Sequence, residues 1–366
     1  MTNKENRGTL SLFRLYTLTI ASAMSGLSLS ASALYSNDFL PVQTVLFVLC
    51  ILSLILLCAS FKRGKYIGAQ DAFCSCFSYP ASCVVFAAAS VYFIIQAALG
   101  IHTQKEMIKL YLLSKTPDDI IIAALALTAA MIFYTGLRQL ASTAQLLFFI
   151  IFPIAALLLI FGLIRMDRGE IRVLLDIKPP KSFFHAARST SALWGIESVI
   201  FFLGSKRHSG STVKAVLLGF VTVFVMFAAS FCAAVGSFSL EGAAGIKFPF
   251  GEMARTLDIG GITVTERFDI LFVFIEIIGC VIKTAIAMYC AGSSLEGIFR
   301  LKSHRCFTMI LPPFAALLAF SCASDKIEDI LSRICSVGFC CIMFIVTPLV
   351  ALITFIKKGR TVRKTV

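Results

Sequence analysis

Three charged residues interrupt long apolar stretches of this sequence. Glu197 lies just after Trp194 and Gly195 in one stretch, and Glu276 and Lys283 lie seven residues apart in another. Seven residues are nearly two turns of an α-helix, so these last two side chains are expected on one helix face. A charge at the middle of a bilayer costs about 2.5–3.5 kcal/mol or more, and it therefore normally faces a cavity or a partner. These residues are the first candidates for chemistry.

Each candidate has a structural and a functional interpretation. Neighbouring helices can satisfy Glu197, or its carboxylate can receive a ligand ammonium or carry a proton. Lys283 is either a fixed cation where a transported cation would bind, or the ion-pair partner of Glu276 or Glu197. Glu276 is a coupling or structural charge that can lie near the outer end of its span. Trp194, the single tryptophan, either packs beside the site or gates it.

The composition identifies the elements that must position these residues. Hydrophobic residues make up 58% of the 366 residues and charged residues 14%, whereas soluble domains are about 45–50% apolar and about 25% charged. Unbroken apolar runs such as 120–131 favour spanning helices over the short alternating strands of a β-barrel. The sequence therefore predicts one all-α polytopic membrane domain over residues 1–366. It contains no catalytic constellation and no nucleotide-binding motif, so an enzyme is not expected.

Apolar runs bounded by charged or turn residues predict ten spans. They are expected near 10–33, 39–60, 82–101, 118–136, 143–164, 187–204, 213–237, 268–297, 306–322 and 332–356.

The net charge of +13 follows from membrane topology rather than from a nucleic-acid partner. Basic residues concentrate in the connections on one side of the predicted bundle, including Lys62, Arg63, Arg300 and Lys357. Lysine and arginine are enriched on the cytoplasmic side. Both termini are therefore expected in the cytoplasm.

The first predicted span contains a stretch of small and polar residues. Ser22, Ala23, Ser25 and Gly26 are consistent either with a close helix contact or with a broken helix whose unwound backbone contacts a ligand. A similar interruption at Gly195 lies five spans later. Two halves of five spans, with spans one and six broken, are typical of an inverted repeat with its binding site at the midplane. The halves would cover 10–164 and 187–356.

Most of the 13 cysteines lie inside apolar segments and lack metal-ligand spacing. We interpret them as small buried residues, and we expect no metal and no cofactor. Cys74 and Cys76, beside a basic connection, leave a metal or redox role as the alternative.

Several short motifs appear in a characteristic order along the predicted spans. They are Leu112 to Pro117, Gly136-Leu137-Arg138, Phe152-Pro153, Gly195-Ile196-Glu197, Phe248-Pro249-Phe250 with Glu252 to Thr256, Glu266 to Asp269, and Gly279 to Lys283. With this order, the sequence resembles the B subunits of endospore germinant receptors. These are GerAB/GerKB-type spore germination proteins (endospore germination permeases) of the amino acid, polyamine and organocation transporter superfamily. The chain departs from them in span one, where Ser25 to Ser28 lack the usual proline.

The resemblance implies a LeuT-like fold in the spore inner membrane. It implies an A subunit and a C-subunit lipoprotein as partners, besides membrane lipid, and a small nutrient such as an amino acid as the ligand that triggers germination. The ligand would bind between broken spans one and six, next to spans three and eight. Backbone amides would suit its carboxylate and Glu197 its ammonium, with Tyr92 and Gln96 lining the pocket.

Two other functions need the same midplane cavity. One is a proton-coupled amino acid permease, and the other is a ligand-gated ion-conducting subunit. The resemblance favours the receptor, while the identity of the nutrient and any transport stay open.

Overall fold

The computed structural model describes residues 10–23, 39–64, 66, 68–167, 169, 189–203, 210–256, 268–299 and 304–363. These residues form helices and their connections. The α-helices, in chain order, are α1 (Leu12–Ala23), α2 (Phe39–Gly64), α3 (Ala69–Cys76), α4 (Tyr79–Tyr111), α5 (Asp118–Thr135), α6 (Leu137–Arg165), α7 (Val199–Leu203), α8 (Gly210–Gly245), α9 (Pro249–Thr256), α10 (Phe268–Phe299), α11 (Leu311–Ser321), α12 (Asp325–Cys340) and α13 (Thr347–Arg363). A π-helical turn, Cys341–Val346, joins the last two.

Among the described residues, seven helices are long and apolar enough to cross a membrane. They cover Pro41–Gly64, Tyr79–Tyr111, Asp118–Thr135, Leu137–Arg165, Thr212–Gly245, Asp269–Phe299 and Asp325–Lys357. The other three predicted spans coincide with shorter elements: α1, an interrupted segment at 189–203, and α11. The predicted all-α membrane architecture is thus confirmed.

Local sequence explains several helix boundaries. Pro80 occupies the first turn of α4, where its missing N–H costs no helical hydrogen bond. Asp118 and Asp119 lie in the first turn of α5, where carboxylates favour the positive end of the helix dipole. Gly136, with φ of 84°, joins α5 directly to α6 because glycine tolerates this left-handed conformation.

Two predicted boundaries are wrong in an informative way. The third span was expected to end at residue 101, but α4 continues for ten residues to Tyr111. Met107 and Ile108 in this extension are buried, and Lys105 pairs with Asp118 across 3.3 Å. Likewise α12 begins at Asp325 rather than at 332, since acidic residues stabilise its first turn.

The centre of the bundle is the pair α4 and α10, which pack together more extensively than any other two elements. Gly100 on α4 lies at this contact, where a Cβ would be at an ordinary van der Waals distance, 3.4 Å, from Thr284 Oγ1 on α10. The Cys280 thiol donates a hydrogen bond to the Gly100 carbonyl oxygen at 3.2 Å. Small residues at helix contacts are typical of membrane bundles.

A short helix, α9, follows Phe248. Phe250 packs edge-on against Phe272 of α10 with 5.5 Å between ring centroids. The interpretation of the cysteines is also confirmed for most of them: all 13 are free, seven are buried, and Cys74 and Cys306 are exposed.

Candidate functional site

The segment 189–203 is not a continuous α-helix. It begins with the 3-10 helix Ser189–Leu193 and resumes after Gly195 with the 3-10 turn Ile196–Ser198, which leads into α7. Gly195 has φ of 109° and ψ of −22°, a left-handed conformation that glycine adopts without steric penalty. The predicted interruption at Gly195 is therefore present in the backbone.

Gly195 also lies against the end of α1. A Cβ at this position would overlap the carbonyl oxygen of Ser22, so only glycine permits the approach. Ser22 and Ala23 are buried at the end of α1, and the Ser22 hydroxyl donates to the Thr19 carbonyl oxygen at 2.8 Å. The other two residues predicted in this stretch, Ser25 and Gly26, lie outside the described residues.

Glu197 is fully buried, with 0% of its surface exposed. Its Oε1 accepts hydrogen bonds from the Tyr92 hydroxyl at 2.7 Å, from Gln96 Nε2 at 3.0 Å and from the Gly195 N–H at 2.9 Å. The same N–H lies 3.0 Å from Oε2. A buried carboxylate is costly unless such donors compensate it, and hydrogen bonds to charged groups contribute about 1.5–3 kcal/mol each.

Two of these donors come from one face of α4. Tyr92 and Gln96 are four residues apart, which places them on adjacent turns of the same helix face. Both are buried. The structure thus brings together four of the residues predicted for the site: Tyr92, Gln96, Gly195 and Glu197.

Trp194 is buried within the interrupted segment. Its indole N–H donates to the hydroxyl of Thr190 at 3.4 Å, a contact within the same segment. The Ser198 hydroxyl donates to the Gly195 carbonyl oxygen at 2.6 Å. The segment is therefore held by its own side chains on both sides of the break.

The two predicted charges on α10 differ in burial. Glu276 is 1% exposed, so it is not a solvated residue at the end of the span. Lys283 is partly buried and interacts electrostatically with Glu197 and Glu276. The pairing of Lys283 with either glutamate, and its alternative role as a fixed cation, stay predictions.

One residue next to the site was not predicted from the sequence. Gly338 of α12 faces the ring of Tyr92, and a Cβ there would lie 2.6 Å from the ring atom Cδ2. The π-helical turn begins three residues later at Cys341, and such turns are frequent at functional sites. An isolated glycine inside an apolar helix was the signal that could have found it.

Comparisons with known proteins show the family of the chain. A family model described as spore germination protein matches residues 42–330. The chain is 24% identical over 243 residues to the spore germination protein YndE of Bacillus subtilis (strain 168). That match covers 65% of this chain and 65% of YndE, so it spans just under two thirds of the relative's length.

A solved structure shows the fold. The crystal structure of MhsT in complex with L-phenylalanine superposes with a TM-score of 0.64, covering 95% of this chain and 99% of MhsT, at 13% sequence identity. The chain therefore has a LeuT-like fold.

Proposed function

Because this chain belongs to the spore germination protein family, we propose that it is the B subunit of a germinant receptor. In this role a small nutrient binds in a transporter-like pocket, and its binding triggers germination of the spore. The family consists of permease-type membrane proteins rather than enzymes.

The observation that carries the proposal is the break at Gly195 with the buried carboxylate of Glu197 beside it. Irregular backbone at membrane depth is tolerated where it is enclosed by protein or lines a cavity. Transporter folds bind their ligands at such discontinuous helices. The close approach of Ser22 to Gly195 supports a second break at the same level, in span one.

The proposed architecture has ten spans in two inverted halves, residues 10–164 and 187–356. The likeness to MhsT over 95% of the chain supports it. In this arrangement α1 is the first half of broken span one, and 189–203 is broken span six. Span three is α4 and span eight is α10, so their side chains border the pocket.

We assign the ligand to the class of amino acids and similar nutrients. Glu197 would receive the ligand ammonium through Oε2, since three of its four hydrogen bonds described above end on Oε1. Backbone amides of the stretch with Ser25 and Gly26 would bind the ligand carboxylate. The presence of L-phenylalanine in MhsT supports this class.

The receptor would act with an A subunit and a C-subunit lipoprotein in the spore inner membrane, with both termini in the cytoplasm. Nutrient binding would shift the conformational population of the bundle, and the partner subunits would transmit that shift. Family membership supports this assignment.

Deletion of the gene in spores that lack other germinant receptors tests the proposal. We expect such spores to lose the response to one nutrient from a panel of single amino acids and sugars, and the reintroduced gene to restore it. Unchanged germination with every nutrient, after deletion and after restoration, would contradict the receptor role.

A buried carboxylate in a transporter fold also favours a second function, a proton-coupled amino acid permease. Reconstitution of the purified chain in proteoliposomes separates the two functions. Accumulation of a labelled amino acid driven by a pH gradient would support the permease and exclude a purely sensory role, whereas saturable binding without accumulation would support the receptor.

A further inference from the structure

A buried histidine and two glutamates meet where the end of α4 faces the first turn of α12. His102 is 1% exposed. Its Nε2 lies 3.6 Å from Glu106 Oε1 and 3.8 Å from Glu328 Oε2. One ligand atom from each of the three residues lies within 4.8 Å of the other two.

The other ring nitrogen of His102 fixes the protonation of the imidazole. Nδ1 lies 3.2 Å from the carbonyl oxygen of Ala319. A carbonyl oxygen only accepts hydrogen bonds, so Nδ1 carries the proton. In the neutral ring, Nε2 then presents its lone pair to two carboxylates, an arrangement that needs either a cation or a shared proton among the three atoms.

A second proton on Nε2 would satisfy this requirement poorly. The separations of 3.6 and 3.8 Å exceed the 2.7–3.2 Å of ordinary N–H···O hydrogen bonds. A tetrahedral metal ion with ligands at about 2.0–2.2 Å holds them about 3.3–3.6 Å from one another. The two separations from His102 Nε2 are close to those of metal ligands, and all three atoms lie within 4.8 Å of one another.

The surroundings of the three residues also match those of a metal site. Metal-binding histidines typically donate their second N–H to a carbonyl or carboxylate, and metal-binding carboxylates are themselves hydrogen-bonded. Ala319 supplies the carbonyl, and Lys247 binds the other oxygen of Glu106, Oε2, at 2.7 Å. Lys105 and Lys109 are directed to Asp118 instead, which leaves Glu106 Oε1 facing His102.

From this geometry we infer that His102, Glu106 and Glu328 bind a divalent transition-metal ion of the Zn²⁺ type. One imidazole nitrogen and two carboxylate oxygens are common Zn²⁺ ligands, and three protein ligands leave a fourth position for water. The side chains of Glu106 and Glu328 are 22% and 37% exposed, so an ion can enter from solvent. The charge distribution predicts that this end of the bundle faces outward.

The ion would join two helices that both contact the Glu197 site. His102 lies ten residues beyond Tyr92 on α4, and Glu328 lies ten residues before Gly338 on α12. Ten residues correspond to about 15 Å of helix. The metal would therefore clamp α4 to α12 about 15 Å outward from the contact between Tyr92 and Gly338.

Zn²⁺ titration of the purified full chain tests the site without any nutrient, so its outcome is independent of the proposed receptor function. All proteins in the experiment carry Cys74→Ser and Cys306→Ser, because exposed thiols also bind Zn²⁺. Calorimetric titration and dialysis give affinity and stoichiometry, and thermal unfolding reports stabilisation by a ligand that binds the folded state.

We expect one Zn²⁺ per chain and a higher unfolding temperature with Zn²⁺. Glu328→Gln and His102→Gln should each weaken binding at least tenfold, whereas Asp329→Asn, on the next residue of α12, should bind like the parent protein. If Glu328→Gln fails to fold, His102→Gln decides. Parent protein that retains no Zn²⁺ after dialysis, or folded variants with parental affinity, would overturn the site.

Discussion

The ring of Tyr92 occupies the space that a side chain at position 338 would fill. A Cβ on Gly338 would come within 2.6 Å of Tyr92 Cδ2 and 3.1 Å of Cε2. The hydroxyl of this ring donates to Glu197 at 2.7 Å. The glycine on α12 therefore sets the position of a hydrogen-bond donor to the carboxylate beside the helix break.

Gly338→Ala should impair the nutrient response. The added methyl group must displace the Tyr92 ring and weaken its hydrogen bond to Glu197, which contributes about 1.5–3 kcal/mol as a bond to a charged group. We expect spores with this variant to need about tenfold more nutrient for half-maximal germination. The control is Gly245→Ala, since a Cβ there meets no atom within 4 Å. Equal responses of both variants and the parent would contradict the role of Gly338.

Tyr92→Phe tests the hydrogen bond itself. This change removes the hydroxyl and keeps the ring, so the unfolding temperature and the nutrient response should both fall. In a double-mutant cycle with Glu197→Gln, the two losses should be less than additive because both changes weaken the same charge-assisted contact. The exposed Tyr134 provides the matched control, Tyr134→Phe, which should behave as the parent. Strict additivity in purified protein would show that the two groups act independently.

The sequence predicted the central residues of the site because charged residues and helix breaks are energetically costly inside a membrane, and they are therefore rare there. A glutamate in an apolar span and a glycine break beside it stand out from their neighbours. Glu197 and Gly195 are joined in the structure by a hydrogen bond of 2.9 Å. Tyr92 and Gln96 followed from the family resemblance, and both donate to Glu197.

Features that depend on distant packing were not predictable in this way. Gly338 matters only because Tyr92 lies against it, and a single sequence does not contain that pairing. His102 and Glu106 show an i,i+4 spacing, but Glu328 joins them from a different helix. The extension of α4 was missed because its lysines pair with Asp118 instead of ending the helix.

Gly195→Ala should destabilise the protein rather than merely alter ligand affinity. An alanine with φ of 109° is strained, at a cost of about 1–2 kcal/mol, and its Cβ would also overlap the Ser22 carbonyl oxygen. We expect a lower unfolding temperature in detergent and less protein in spore membranes. Gly245→Ala again serves as the control. Normal abundance and stability of Gly195→Ala would show that spans one and six do not meet at this point.

Glu197→Gln should abolish or strongly weaken the nutrient response while the protein stays in the membrane. Glutamine keeps the shape of the side chain, but it removes the negative charge and turns one acceptor into an NH₂ donor. The remaining oxygen would accept from Tyr92 and Gln96 only as a neutral group, the NH₂ group would lie beside the Gly195 N–H, and a ligand ammonium would lose its counter-charge. Loss of a charge-assisted bond of about 1.5–3 kcal/mol raises the nutrient requirement about tenfold to hundredfold.

Germination of spores across a range of nutrient concentrations measures this change, with membrane levels of the variant checked by immunoblot. Glu241→Gln, at an exposed position of α8, removes the same charge away from the site and should leave the response intact. Since each variant removes one negative charge, the two differ only in the location of the lost carboxylate. A normal response of Glu197→Gln spores at normal protein levels would remove Glu197 from the binding site and reduce it to a structural link between α4 and the broken span.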